Sequence, residues 1–410
     1  MTQHTTQPRI VILGGGYAGV SAAVRLGGTS ANVVLVNKHS YHHLTTLLHQ
    51  PAVGRRGYTD LSVGLREVLP SCVDLVRGRV MAITPEQKSV TVKTRQGEKQ
   101  LTYDYLVLAL GWEAEFYQIP GLREHALTLE DLNTSRLTKD RIEEALIAFD
   151  ENPEQGWRRS IVIGGGGLSG VELAGELADS RQKFATAFDL KPEDISIHLV
   201  DGAPGLLHGL DPWLSQETTA YLTARGVQVH SGTRISQVKD RAVVFENGNT
   251  LEAGTVIWTG GVRANRLVER AGFAGNRQGR AEVDAFLRSK AYPEVFIIGD
   301  CALVNDAQGN PLPPTAQLAV QQGVWTARNL RRVIKGKALQ PYKAVTRGIV
   351  LSIGRRYALG VVNGYRISGV PAGMLKDAIA YKYLFSIGGP LLTLKKWWSW
   401  AAYASAMRRS

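Results

Sequence analysis

Cysteine is almost absent from this chain: Cys72 and Cys301 are the two in 410 residues. They lie far apart, and neither belongs to a pair at redox or metal-ligand spacing. No disulfide framework and no zinc site are expected, and a reducing compartment is favoured. No run of about 18 apolar residues occurs, so no spanning helix is expected. The N-terminal MTQHTTQPR is polar, runs straight into the first strand, and carries no signal-peptide pattern. Acidic residues are missing from one region. Residues 341–410 hold eleven Lys and Arg against a single acid, Asp377. The first 340 residues are nearly balanced, with 37 basic and 35 acidic groups. The net charge of +12 is therefore a feature of the C-terminal segment. An anionic membrane or nucleic acid could be its partner.

Glycine is plentiful, with 44 residues, and two clusters of it follow apolar strands. In IVIGGGGLSGVELAGE (161–176), Gly165, Gly167 and Gly170 fit G-x-G-x-x-G at a strand-to-helix turn. In IVILGGGYAG (10–19), Gly14, Gly16 and Gly19 repeat the pattern. The first glycine permits the tight turn, the second lets backbone approach a pyrophosphate, and the third lets helix pack on strand. The phosphates would sit on a helix N-terminus, where free N–H groups and the dipole favour anions. Two such units in one chain point to two bound dinucleotides.

The strand after the first motif, Val33 to Val36, ends at Asn37, where an acid usually bonds the ribose. An amide there can still make one or two such bonds. The strand after the second, Ile195 to Val200, ends at Asp201. Its carboxylate can accept both ribose hydroxyls of NADH and would repel a 2′-phosphate; a turn-forming role before Gly202 is the alternative. The four histidines of KHSYHHLTTLLHQPAVG (38–54) match no zinc spacing and suit a loop lining a cofactor or the surface. Residues 73–110 read as a small antiparallel insertion that rejoins a parallel sheet at Tyr105 to Leu110, closed by Gly111. Residues 131–150 are expected to form a helix with Leu137, Ile142, Leu146 and Phe149 at helical spacing. Further strands are expected at Val227–Ser231, Ala242–Glu246 and Thr255–Thr259. VFIIGD (295–300) reads as a buried strand presenting Asp300 to a ligand, and a helix opens at Ala316.

These pieces in this order resemble the two-dinucleotide flavoproteins, and VNKHSYHHLTTLLHQPAVG, TGGVR, GDCALV, PPTAQLAVQQG and LLTLKKW narrow the resemblance to the type II NADH dehydrogenases. The resemblance implies an α/β fold with two Rossmann-like domains and a C-terminal membrane-anchoring domain. It implies an FAD domain at 1–113 and 285–340, an NADH domain at 114–284 and membrane association at 341–410. The implied activity is NADH oxidation by a membrane quinone without proton pumping. Gly14, Gly16 and Gly19 would hold the pyrophosphate of a non-covalent FAD. Asn37, Lys38 and Val80 would surround its adenosine, and Thr46, Gly111, Asp300 and Ala316 would lie along the ribityl chain and ring. Gly165, Gly167, Gly170 and Asp201 would hold NADH. Glu172 would face nicotinamide and flavin, with Gln317, Gln321 and Lys376 at the quinone. A homodimer at the cytoplasmic face of the membrane is implied, and no nucleic acid.

Each role has a plainer competitor. Glu172, the candidate proton donor, also suits a helix's first turn. Gln317 and Gln321 share a helix face and could bond a quinone carbonyl, or cap the helix after Pro314. Lys376 could be a solvated lysine beside Asp377. Sulfide:quinone oxidoreductase chemistry would need two cysteines meeting at the flavin, and a non-enzymatic redox sensor would bind both cofactors without turnover. In the tail, Trp397, Trp398, Trp400, Tyr403 and Met407 are bracketed by Lys395, Lys396, Arg408 and Arg409. Leu394, Trp397, Trp398, Ala401 and Ala404 share a helical face. Such a helix is expected to lie in a membrane interface, not to cross it.

Overall fold

The computed structural model describes residues 7–406 except 274 and 356, with backbone alone at 402–406. Its first sheet has seven strands in the order Val295–Ile297, Tyr105–Leu108, Arg9–Leu13, Asn32–Asn37, Val73–Thr84, Ser89–Thr94 and Gly97–Thr102. The first five run parallel. Ile10, Val11, Ile12 and Leu13 are wholly buried, as befits a central strand covered on both faces. The long strand Val73–Thr84 has two partners. Val73–Arg77 pair parallel with Val33–Asn37, and Gly78–Thr84 pair antiparallel with Ser89–Thr94. The antiparallel insertion is thus an extension of the same sheet.

The second sheet has five parallel strands in the order Ala126–Thr128, Thr255–Trp258, Ser160–Gly164, Ser196–Val200 and Val227–His230. Ala242–Phe245 does not join it. That strand pairs with Ile235–Lys239 and Thr250–Glu252 in a separate antiparallel sheet. The chain passes between the two α/β units through Trp112–Ala114 and Val262–Ala264, which pair antiparallel.

The helix Leu132–Glu151 is N-capped by Asp131, which accepts from the N–H groups of Asn133 and Thr134. Ile142, Leu146 and Phe149 are buried, but Leu137 is exposed. Thr138 holds the place one turn before Ile142, and Leu137 lies about 100° around the axis from it.

After the helix Ala316–Ile334 come three antiparallel strands, Gly348–Ser352, Ala358–Val362 and Tyr365–Ser368. A helix then runs from Gly369 to Ala406, broken at Gly389, whose φ of 68° and ψ of −164° are not helical. Pro390 opens its second segment, a position where the missing N–H costs nothing. Leu351, Ile353 and Leu359 enter the core of the second unit. Tyr383, Leu384, Ile387, Leu392 and Trp400 enter that of the first. The C-terminal segment therefore packs on both. Among the described residues no helix is long and apolar enough to cross a membrane.

Two tail residues expected at a membrane surface are turned inward. Lys396 is buried and donates to the carbonyls of Thr59 (2.9 Å), Asp60 (3.1 Å) and Ser62 (2.5 Å). Trp400 is buried, donates to the Asp60 carbonyl at 3.2 Å, and lies under the Arg56 guanidinium at 4.0 Å. Three carbonyls converging on one ammonium replace its water, which makes this burial tolerable. Leu394, Trp397 and Trp398 remain exposed. The side chains of Tyr403 and Ala404, and Met407, Arg408 and Arg409 entirely, lie outside the described residues.

Candidate active site

The two glycine motifs fold into equivalent turns. Gly14 and Gly165 adopt φ of 103° and 114°, the left-handed region that favours glycine. Their N–H groups donate to the last carbonyls of the following strands, Val36 at 2.9 Å and Val200 at 2.7 Å. A Cβ at Gly19 or Gly170 would overlap the carbonyl oxygen of Gly14 or Gly165. A Cβ at Gly16 or Gly167 would meet nothing within 4 Å. These are the N-caps of the helices Tyr17–Leu26 and Leu168–Ala187, and both are exposed. Open space over uncapped helix N–H groups, twice, fits two pyrophosphates.

Asn37 and Asp201 are equivalent too. Asn37 Oδ1 accepts from the Gly15 N–H at 2.9 Å, and Asp201 Oδ2 accepts from the Gly166 N–H. Asp201 Oδ1 also accepts from Ala203 N at 2.6 Å. The Asn37 amide nitrogen donates to His39 O at 3.0 Å, so much of this side chain is engaged within the protein. Lys38 forms an ion pair with Asp131 at 3.1 Å. Val80 is a core residue of the long strand. Tyr17 and Thr46 hydroxyls lie 3.0 Å apart. His42 is buried between the first glycine turn and the C-terminal helix: its Nδ1 donates to Gly15 O at 3.0 Å, and its Nε2 lies 3.0 Å from the Tyr383 hydroxyl.

Asp300 is not in a strand but in a one-turn helix, Gly299–Cys301. Burial pushes its carboxyl up to about 6, with Arg280 pulling the other way. The turn is held by Gln322, whose Oε1 accepts from Gly299 N at 2.6 Å, and the Cys301 thiol donates to Gly111 O at 3.3 Å. Gln322 is a residue that spacing arguments on Gln317 and Gln321 miss. Gln317 is half-buried in the first turn of the helix that Ala316 opens. Gln321 is tied elsewhere: its amide nitrogen donates to Val345 O at 2.9 Å and its oxygen accepts from Val345 N at 3.1 Å.

Glu172 and Lys376, 204 residues apart, meet in an ion pair. The lysine is not solvated; it also donates to Ser352 Oγ at 3.0 Å. Ser352 N donates to Glu172 Oε1 at 3.1 Å. On the other oxygen, His49 Nδ1 lies 3.3 Å from Oε2. One turn further along the helix, Glu176 is fully buried and pairs with Arg55. Burial raises that carboxyl above its usual range. His49, Arg55 and Glu176 were all visible in the sequence, the first in the histidine-rich stretch, the second just after it and the third at i+4 from Glu172. What the sequence lacks is the closure of that loop onto the second glycine helix. Among the described residues no metal-binding group of His, Cys, Asp or Glu exists.

Comparison with known proteins agrees with this geometry. The pyridine nucleotide-disulphide oxidoreductase family model matches residues 8–323. A type II NADH:quinone oxidoreductase of Staphylococcus aureus is 33% identical over 398 residues, covering 95% of this chain and 98% of its own. One from Staphylococcus epidermidis is equally similar. Among solved structures, NDH2 of Plasmodium falciparum in complex with NADH superposes with a TM-score of 0.84 at 17% identity, covering 95% of this chain and 97% of that one. The sulfide:quinone oxidoreductase of Aquifex aeolicus gives 0.76 at 19% identity, covering 93% of each; both structural likenesses speak to fold. With 95% of the chain matched and both glycine turns in place, the protein belongs to the pyridine nucleotide-disulphide oxidoreductases and, within them, to the type II NADH:quinone oxidoreductases.

Proposed function

We propose that this protein oxidises NADH and reduces a membrane quinone, with bound FAD between them. The observation that carries the reading is a second dinucleotide cradle whose helix delivers Glu172 to a junction with Lys376, Ser352 and His49. FAD, when bound, takes electrons from NADH as a pair and hands them on. Residues 1–113 and 285–340 hold it, with Gly14, Gly16 and Gly19 at the pyrophosphate, Asn37, Lys38 and Val80 around the adenosine, and Thr46, Gly111, Asp300 and Ala316 along the ribityl chain and ring. Residues 114–284 hold NADH through Gly165, Gly167, Gly170 and Asp201. Glu172 supplies a proton to the quinone, Lys376 holds the carboxyl in place, and Gln317 faces the quinone carbonyl. Gln321 anchors the chain at Val345, which supports a positioning role beside the quinone.

Residues 341–410 bring the site to the membrane from the cytoplasmic side. Leu391, Leu394, Trp397 and Trp398 are exposed on the last helix segment, and such rings suit the membrane–water boundary. The protein acts as a peripheral homodimer. The test is purification from membranes, a visible spectrum, and rates of menaquinone reduction with NADH and NADPH. Bound, acid-releasable flavin and rapid NADH-specific turnover are expected. A long-lived charge-transfer complex without turnover would instead make the protein a redox sensor. Glu172→Gln should slow quinone reduction at normal flavin content.

Sulfide chemistry is disfavoured by the cysteines. Cys301 lies at the C-terminal ends of the parallel strands, and Cys72 immediately precedes Val73, at their N-terminal ends. A five-residue strand separates those ends by roughly 17 Å.

A further inference from the structure

Glu172 is held from three sides, and the three partners differ in what they can do with a proton. Ser352 N–H and the Lys376 ammonium donate to Oε1, and neither carries a free lone pair while it donates. The third partner is an imidazole. His49 Nδ1 is 3.3 Å from Oε2, within the looser range of resting-state catalytic contacts. Its Nε2 is buried and has no partner among the described residues. Three cations face the ring: Lys376 from the C-terminal helix, and Arg55 and Arg56 from its own loop. Glu172 faces it from the second glycine helix. Burial, with those cations, keeps the imidazolium well below its ordinary range. The ring is therefore neutral near pH 7, with one nitrogen protonated and the other an acceptor. Nδ1–H toward a carboxylate leaves Nε2 as a bare acceptor, a polar site of the kind that holds buried water.

We propose that His49 is the proton relay that refills Glu172, with its Nδ1 facing the carboxyl and its unpartnered Nε2 facing the proton supply. The inference rests on Glu172 being the quinone's proton donor. As quinone reduction draws a proton through Glu172, the Nδ1–H bond breaks, an O–H bond forms at Oε2, and the carboxyl hands a proton on to a quinone oxygen. Nε2 gains a proton that originates in solvent water. No electron moves in this step. The ring is neutral before and after, in opposite tautomers; the reset releases the Nε2 proton to water and returns a proton to Nδ1 from water that enters the site when the quinol leaves.

The test combines a resting-state and a kinetic measurement on the flavin-loaded protein. In ¹⁵N-histidine NMR spectra, His49, assigned by its loss in His49→Asn, should be the neutral Nδ1–H tautomer from pH 6 to 8. In stopped flow, His49→Asn and His49→Gln are compared with wild type. General acid–base groups contribute ~10²–10⁴-fold; with water as a partial substitute, flavin reoxidation by quinone should fall at least ~10-fold. Its solvent deuterium isotope effect should rise. Flavin reduction by NADH in the same samples reports the folded, loaded fraction. A proton resident on Nε2 in the resting protein, or reoxidation within twofold of wild type in both variants, overturns the relay. Glu172→Gln runs in parallel. Slow reoxidation there with normal His49 variants removes the relay alone, whereas wild-type reoxidation in Glu172→Gln removes the donor reading beneath it.

Discussion

At the residue scale, the glycines of each cradle are not interchangeable. Gly170 carries the helix against the Gly165 carbonyl, and any side chain there would force the two apart. Gly167 has φ of −74° and no protein atom near its absent Cβ, so alanine is tolerated by the fold and, in the proposed function, projects into the space for phosphate. Gly167→Ala should therefore keep wild-type thermal stability and flavin content while raising KM for NADH at least ~10-fold, as expected when a 1–3 kcal/mol contact is lost. Destabilisation of the apoprotein by this variant would contradict the open cradle. Asp201 accepts from two backbone N–H groups, and in the proposed function it faces the ribose. A like charge set against it costs several kcal/mol, so NADH should be strongly preferred over NADPH. Asp201→Ser should narrow the ratio of kcat/KM values. Equal use of both by the wild type would mean that Asp201 does not face the ribose.

At the scale of elements, the last helix has two unlike faces. The inward face seats Lys396, Trp400 and Leu392 against the 57–62 loop and the first core. The outward face carries Leu394, Trp397 and Trp398. Cutting the chain after Pro390 would remove both, so truncation confounds anchoring with stability. Replacing Leu394, Trp397 and Trp398 together by serine should leave the urea midpoint and NADH-to-dye activity near wild type. The same variant should no longer sediment with anionic liposomes, and turnover with long-tailed quinone should drop. Lys396→Met should do the opposite: liposome binding persists, and stability falls by about 1.5–3 kcal/mol, the range for a charged hydrogen-bonded group. Liposome binding unchanged in the triple variant would assign the exposed face to some other contact.

At the scale of the whole molecule, histidines drawn out of water set the acid limit. Burial lowers His42 to about 3, His43 and His198 to about 4, and His49 well below its ordinary value. Unfolded imidazoles titrate near 6.5. Below that pH the unfolded chain binds more protons than the folded one, so stability falls as pH falls, down to the folded values. Asp300, raised to about 6, and Glu176, also raised, act with the opposite sign between about 4 and 6. They are two groups against six, because burial also lowers His39 and His230. Unfolding midpoints should hold steady above pH 6.5 and decline progressively toward pH 4.5, and a flat profile over that range would refute neutral burial of these histidines.

The sequence by itself determined the two cradles, because a G-x-G-x-x-G turn is local: positive φ, helix start and strand end all lie within ten residues. It determined most of the runs that become strands of the two parallel sheets, and the helix opening at Ala316 after the break at Pro311–Pro314. It did not determine Leu137's exposure, since a five-residue step to Ile142 is compatible with an apolar stripe on paper and off the face in three dimensions. Nor could it place His49, Ser352 and Lys376 around Glu172. Those residues come from a loop, a strand and a helix far apart in the chain, and their meeting depends on a C-terminal segment packing on both α/β units at once. The tail shows the same limit. A lysine or tryptophan in an amphipathic helix reads alike whether it meets lipid or protein, and only the three carbonyls of the 59–62 loop, supplied by tertiary packing, turned Lys396 inward.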